Sequence, residues 1–484
     1  MIGIEGKIAI AEEPSNLFEG EIATLTELVD LSSFEIDEDL SFERPVGVSE
    51  FQGSSDALSG NENRSGSISF PLLNSNGVDK LLKFTLGNSN SYQGDLHFNE
   101  LIGTGNGINQ NFSSGISPIV ADSFFVHVDE TLQPFEDVIL LDRARPRKNL
   151  SLQLGQYPIS SKLKIKIDAD GSNINNKPVV IEGLDIDGDP ITETLYDSIL
   201  LGNSQTRETV NVYSEINKEG IFALGIDPNH DNSSRISVIK PSSYSITLST
   251  GEIHFFNPPA DGAKIYITAV ESVGSKYVHV LNPKRELPTF SIATDEILKS
   301  YQYSKSVMDR LNITIDPEDY VNCSADFISC LKNEITFPTL SSNPDARTFN
   351  ISSANLYINS QLNTNVEKLE LEISNNIDYI NPINSTPEIQ RGALDISVKF
   401  EENYDTTDFI DLYENKEVVS LIIDLENKLG DKIIIFIPSM YIEKITKPLE
   451  GTDFVDVSSE CFALKSKTDS DKIRIFVVND NENI

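Results

Sequence analysis

Phe34-Glu35-Ile36-Asp37-Glu38-Asp39-Leu40-Ser41-Phe42-Glu43 alternates apolar and acidic side chains, and this alternation decides the fold class. Phe34, Ile36, Leu40 and Phe42 fall on one face; Glu35, Asp37, Asp39 and Glu43 fall on the other. A strand sends successive side chains to opposite faces, so the stretch reads as a strand half-buried against a core. The same alternation runs through Val366 to Ile373 and Leu394 to Glu401. Apolar, β-branched runs at 178–183, 264–270, 419–425 and 432–438 predict further strands. Ile422 to Ile435 predicts two strands joined by a short turn at Gly430.

Helical signals are few. Val78, Leu81, Leu82 and Leu86 recur at helical spacing within Asn76 to Gly87, and Gly87 stands where a helix would stop. A weaker pattern lies near 404–415. The expected class is mainly β, with one or two short helices covering a sheet.

The 484 residues suggest about three domains on a prior of roughly 150 residues each. With 38 Lys+Arg against 75 Asp+Glu, the formal net charge is −37. Gripping nucleic-acid phosphates or anionic lipid requires the opposite sign. A hydrophobic share of 39%, with 24 Phe and 15 Tyr, is too high for a disordered acidic chain. Cys323, Cys330 and Cys461 form neither a disulfide framework nor a C-x-x-C zinc pair, and read as reduced and buried. The opening residues lack a secretory pattern, and no apolar run is long enough for a transmembrane helix. The expectation is a soluble protein folded in a cytoplasm, without membrane insertion.

Motifs for chemistry are absent. Gly103-Thr104-Gly105-Asn106-Gly107 is glycine-rich, but no helical pattern follows it, so a β turn is expected rather than a phosphate loop. Asp168-Ala169-Asp170-Gly171 lacks the later glycine and glutamate of a calcium loop. Asp185-Ile186-Asp187-Gly188-Asp189 reads as a hairpin turn. The histidines at 97, 127, 230, 254 and 279 stand singly. Without a signal sequence, the Asn-x-Ser triplet at Asn149 carries no glycosylation argument. No enzyme, metal or cofactor is expected.

Arg64 to Phe70, followed by Val78 to Gly87 with its Leu81-Leu82…Leu86-Gly87 ending, resembles the strand, helix and "LLxxxLG" of the bacteriophage major tail tube protein family. Leu287 to Ile292, Tyr303 to Ile315, Phe349 to Ile358, Val366 to Asn375, Arg391 to Phe400 and Lys432 to Tyr441 follow in that family's order. The resemblance covers 1–100 and about 286–484, interrupted by an insertion at 101–285. The insertion is similar to a β module of phage structural proteins that begins "GxGxxxxF" (Gly103 to Phe112) and ends "TGxIxFxxPP" (Thr250 to Pro259). A nested β-sandwich is expected at about 148–240. The fold implied is a tail-tube β-sandwich that forms a barrel with its copies, plus inserted β-sandwich domains.

The resemblance also implies a function: a structural virion protein in stacked, hexameric rings forming the tail tube, assembled in the host cytoplasm. Six copies would each lend four strands to an inner barrel, and closure removes the strand edges. Twenty-four strands about 4.8 Å apart and tilted roughly 40° close at a diameter of about 48 Å. Side chains leave a bore of about 38 Å, wide enough for a duplex about 20 Å across. Acidic walls would repel the DNA during ejection and let it pass without specific binding, over a screening length of about 8 Å.

Asp316, Glu318, Asp319, Glu370, Glu372, Asp395 and Glu401 are the candidate lumen-lining residues, with Lys399 interrupting the last stripe. Glu35, Asp37, Asp39 and Glu43 are a candidate inter-ring or surface stripe. Implied partners are copies of the chain and other tail proteins: tape measure, terminator, tip or baseplate, and sheath. The insertion is expected to decorate the outside. Alternatives are a baseplate or tail-tip protein sharing the fold, and a carbohydrate-binding or depolymerising β protein.

Overall fold

The computed structural model describes residues 8–13, 24–29, 33–43, 58–73, 76–129, 131–133, 137–143, 164–168, 179–184, 190–195, 204–208, 215–223, 235–240, 244–284, 286–295, 299–316, 320–340, 348–349, 354–380, 388–403, 408–446, 456–464, 471–482 and 484. The chain is mainly β, as its alternation predicts, with two helices among the described residues: α1 (Asn76–Leu86) and α2 (Asp408–Asn415). It divides into two compact units. One comprises 1–96, 273–466 and 471–484; the other comprises 97–272 and 467–470.

In the first unit, 17 of the described strands join one sheet. Ser33–Glu43, Leu58–Pro71, Asn322–Ile335 and Ser300–Ile315 lie side by side, each antiparallel to the next. The sheet forks at Ser300–Ile315. Its first part pairs with Phe290–Asp295, and its last residues pair with Val366–Ser374. Val366–Ser374 continues to Asp395–Asn403, Asp456–Ala463 and Lys432–Thr446. The predicted hairpin at 422–435 is present as Val418–Glu426 paired with Lys432–Thr446.

Alternation places the apolar half of these strands in one core. Ile68, Phe70, Leu311, Ile313, Ala325, Phe327, Leu371 and Val398 share it with Val78, Leu81, Leu82, Phe84 and Leu86 of α1. Each of these Val, Leu, Ile and Phe side chains contributes about 1.5–3 kcal/mol on full burial. Phe84 stacks on Phe290 at 4.7 Å between ring centroids and 5° between planes, and Phe290 meets Phe327 at 5.9 Å and 64°. These rings tie the helix to two strands. Gly66 lies directly against the Phe327 ring, which occupies the space a Cβ would need. Gly87 ends α1 at φ +100, a left-handed conformation that glycine adopts without strain.

The second unit has a core of Ile116, Phe124, Val126, Tyr244, Ile253, Phe255, Ile265 and Ile267. Gly105 and Gly107 donate to Ala263 O and Pro259 O, and the short strand Asn111–Ser113 follows, so the 103–107 glycines build a turn between strands. Val179–Leu184 pairs antiparallel with Pro190–Leu195, with Leu184 opposite Pro190, the partnership a hairpin requires. Residues 185–189 themselves, 169–178, Asn149 and His230 lie outside the described residues.

The main segment of the second unit ends at 272, while the sequence reading places the insertion boundary at 285. Tyr277–Pro283 pairs with Gly87–Gln93 on one side and Arg474–Asn479 on the other, both in the first unit. Gly94 N donates to Lys276 O at 3.0 Å, so the chain leaves and re-enters the first unit on neighbouring strands.

Candidate channel-lining face

The polar halves of the alternating strands form registered rows. Glu35, Ser67, Asp326, Arg310, Ser374 and Asp395 are successive cross-strand partners on six adjacent strands. The next row runs Ser69, Ser324, Asn312, Glu372 and Ser397, and the one after it Asn322, Thr314, Glu370, Lys399 and Glu460. Direct partners share a face, so Glu35 and the Glu370–Glu372 stripe belong to one polar surface. Sequence alone separates them into two stripes, because the strands that join them are distant along the chain.

This surface has two parts. Over the four strands from 33–43 to 300–315, its described side chains are mostly hydroxyls and amides: Ser67, Ser69, Ser324, Asn312, Thr314 and Asn322. Over the strands 366–374, 395–403 and 456–463 it is charged and cross-linked. Lys368 Nζ lies 2.9 Å from Glu370 Oε1, and Lys444 Nζ lies 3.3 Å from Glu460 Oε1. Arg310 Nε approaches Glu372 at 3.9 Å, and Lys472 Nζ approaches Asp395 at 3.9 Å. Exposed pairs of this kind contribute about 0–1 kcal/mol each, so their effect is on the surface potential rather than on stability. The hydrogen bond and charge of Glu370 raise the Lys368 ammonium above its ordinary value, with smaller contributions from Glu401 and Asp316.

Lys368 thus pairs with Glu370, stands opposite Glu401 in register and feels the charge of Asp316, and no spacing in the sequence discloses the last two. Glu372 and Asp395 stand on the same polar surface, Asp395 also accepting from Asn376 Nδ2 at 3.0 Å. Glu318 and Asp319 lie outside the described residues, as do the side chains of Asp37, Asp39 and Glu43. Asp326, Glu460 and the pairing cations were not singled out from sequence; alternation within 322–335 was the signal that could have found Asp326.

Cys323, Cys330 and Cys461 are buried thiols that form no disulfide. Burial pushes each thiol up, Cys461 to about 12, so none is poised as a thiolate. No described helix is long and apolar enough to cross a membrane.

A family model described as phage tail tube protein matches residues 7–460. The chain belongs to the phage tail tube protein family. Membership assigns it a structural role in a virion tail and, in general terms, assembly with its own copies and with other tail proteins. No curated protein matches the chain at a significant level. For a tail tube protein, the surfaces that matter are those meeting neighbouring copies and those facing the interior, and the registered polar face is a candidate for the latter.

Proposed function

We propose that six copies of the chain close into a ring, that rings stack into the tail tube, and that the polar face lines a channel through which DNA is ejected. The single observation that carries this reading is the run of four adjacent strands of 11, 14, 14 and 16 residues that starts at Ser33–Glu43, which has one partner among the described strands. A share of four strands about 4.8 Å apart matches one sixth of a 24-stranded wall. At about 3.4 Å per residue, 14 residues extend roughly 48 Å, enough for a tall wall segment when tilted.

On this reading Glu35 faces the bore, with Asp37, Asp39 and Glu43 assigned to the same acidic stripe by alternation. Ser67, Ser69, Ser324, Asn312 and Thr314 supply small neutral groups, and few cations are present to hold a phosphate. Excess carboxylate repels the duplex only within about 8 Å, which keeps it off the wall without opposing its entry. Asp316, Glu370, Glu372, Asp395 and Glu401 flank the four-strand share.

A second reading takes the four strands 322–335, 300–315, 366–374 and 395–403 as the share, which puts those five carboxylates in the bore. Their density favours it; the shortness of the last two strands, nine residues each, weighs against it. Negative-stain microscopy of the purified chain tests assembly. Stacked rings are expected, and a compact monomer at every concentration would contradict the proposal. A single non-stacking ring would place the chain at the tail tip or baseplate instead.

A further inference from the structure

The "GxGxxxxF" and "TGxIxFxxPP" segments, which the tube role does not use, meet in the second unit. His254 pairs with Asn111 in register, Phe255 N donates to Gln110 O at 2.8 Å, and Gly107 N donates to Pro259 O at 3.0 Å. This brings 106–111 alongside 254–259. Two large apolar side chains stand in solvent there: Ile108 is 83% exposed and Phe256 is 50% exposed. Asn106, Asn109, Asn111, His254, Asn257 and Pro258 around them are exposed too.

The display is held rigidly. Asn106 Oδ1 accepts from Ile108 N at 3.0 Å and from Asn109 N at 2.6 Å. Asn109 Nδ2 donates to Asn111 O at 2.9 Å, and Gln110 Nε2 donates to Phe256 O at 2.9 Å. His254 Nδ1 lies 2.8 Å from Asn111 Oδ1, and its ring packs edge-on to Phe256 at 6.0 Å. These bonds leave His254 Nε2, Asn111 Nδ2 and the Asn257 amide without protein partners among the described residues. They are hydrogen-bonding groups beside an aromatic ring.

The two tip segments themselves carry no formal charge, with the exposed Glu252 and Asp261 just beyond the ends of the second. Leu101 to Ala121 contains no Asp, Glu, Lys or Arg, and neither does Ile253 to Ala260, in a chain with a net charge of −37. We propose that this tip binds an uncharged polysaccharide. A sugar ring offers an apolar C–H face that packs on an aromatic ring and a rim of hydroxyls that pair with amide and imidazole groups. That division matches a few polar groups set around an apolar platform. A polyanion would meet the repulsion of the acidic chain, whereas a neutral polymer does not. A second copy fits less well, since a stable protein interface needs about 800 Å² per partner and a more apolar centre than one ring and one isoleucine. Single-site binding at so small a platform is weak, and repetition along a tail would multiply it.

The test is retention of the full chain by immobilised amylose, dextran and mannan, with bare and alginate beads as controls, read as depletion from the supernatant. At least one uncharged matrix should retain the protein above both controls. Phe256→Ala and Ile108→Ser should each lower that retention at least threefold, and Phe256→Tyr should preserve it. Retention no better than bare beads on all three, retention unchanged by Phe256→Ala, or preference for alginate would overturn the proposal. So would a loss of self-assembly in Phe256→Ala, which would assign the tip to a second copy. Ring formation by microscopy is scored separately, so failure here leaves the tube reading standing.

Discussion

Asn479 Nδ2 donates to Asp79 Oδ2 at 2.7 Å, joining the first turn of α1 to the strand Arg474–Asn479 across 400 positions of sequence. Asp79 is fully buried, and its Oδ1 has no hydrogen-bond partner within ordinary distance among the described residues. Burial is the largest influence and holds the carboxyl well above its usual range, opposed by bonds from Asn481 and Asn479 and reinforced by the charge of Asp431. His279 Nε2 lies 3.2 Å from Asn479 Oδ1 and 2.9 Å from Asn481 O, both acceptors, so that nitrogen carries the proton and Nδ1 accepts from Ser91 at 2.8 Å. One asparagine thus links a buried acid to a buried base.

The raised carboxyl makes the folded state the tighter proton binder. Stability should fall as pH rises from the ordinary value of 3.8 towards the raised folded value. Asp79→Asn keeps an acceptor for Asn479 and removes that slope. It should match the parent in acid and exceed it at neutral pH in urea unfolding. Asp79→Ala strips Asn479 Nδ2 of its partner and should cost about 1–3 kcal/mol.

His279 has the opposite sign. Burial lowers its value below 6.5, with Lys83 adding to the effect against the bonds to Asn479 and Asn481. Its contribution is present above about 6.5 and is lost as pH falls through the lower folded value. His279→Gln can place an amide donor near the Nε2 position, and it should flatten the acid limb of a melting-temperature profile.

Gly66 and Phe327 should couple. Gly66→Ala forces a methyl group into the ring and should destabilise by about 1–3 kcal/mol. Phe327→Leu, costly alone, should cost less in the Gly66→Ala background. A double-mutant cycle by chemical denaturation reads the difference, and additivity would show that the two sites do not meet.

Replacing residues 98–271 by a short flexible linker should leave ring stacking intact. The hydrogen bond between Gly94 and Lys276 puts the two cut ends on adjacent strands. Extending the deletion through 284 should abolish assembly, because Tyr277–Pro283 would be removed from between two strands of the first unit. Microscopy of both variants separates these outcomes.

Local pattern carried much of this. Alternation in 366–373 and 394–401 discloses strands because each has one wet and one dry face, alternation in 34–43 discloses another strand, and Leu81-Leu82…Leu86-Gly87 discloses α1 together with its glycine stop. What stayed hidden depends on pairing between distant segments. Tyr277–Pro283 looks like any other alternating stretch, and only its partners at 87–93 and 474–479 assign it to the first unit. Lys368 stands opposite Glu401 only through the register of 366–374 with 395–403, and the charge of Asp316 reaches it from the end of a strand distant in sequence. Asp79 read as an ordinary acid in a helix's first turn, and nothing near it in sequence announces Asn479.

Cryo-electron microscopy of the assembled protein measures the channel directly. Closed six-fold rings are expected, with strands 33–43, 58–71, 322–335 and 300–315 forming the inner wall and Glu35, Ser67, Ser324 and Asn312 facing the bore. An inner wall coated with lysine and arginine, or no closed ring at all, would refute an anionic conduit built from this face.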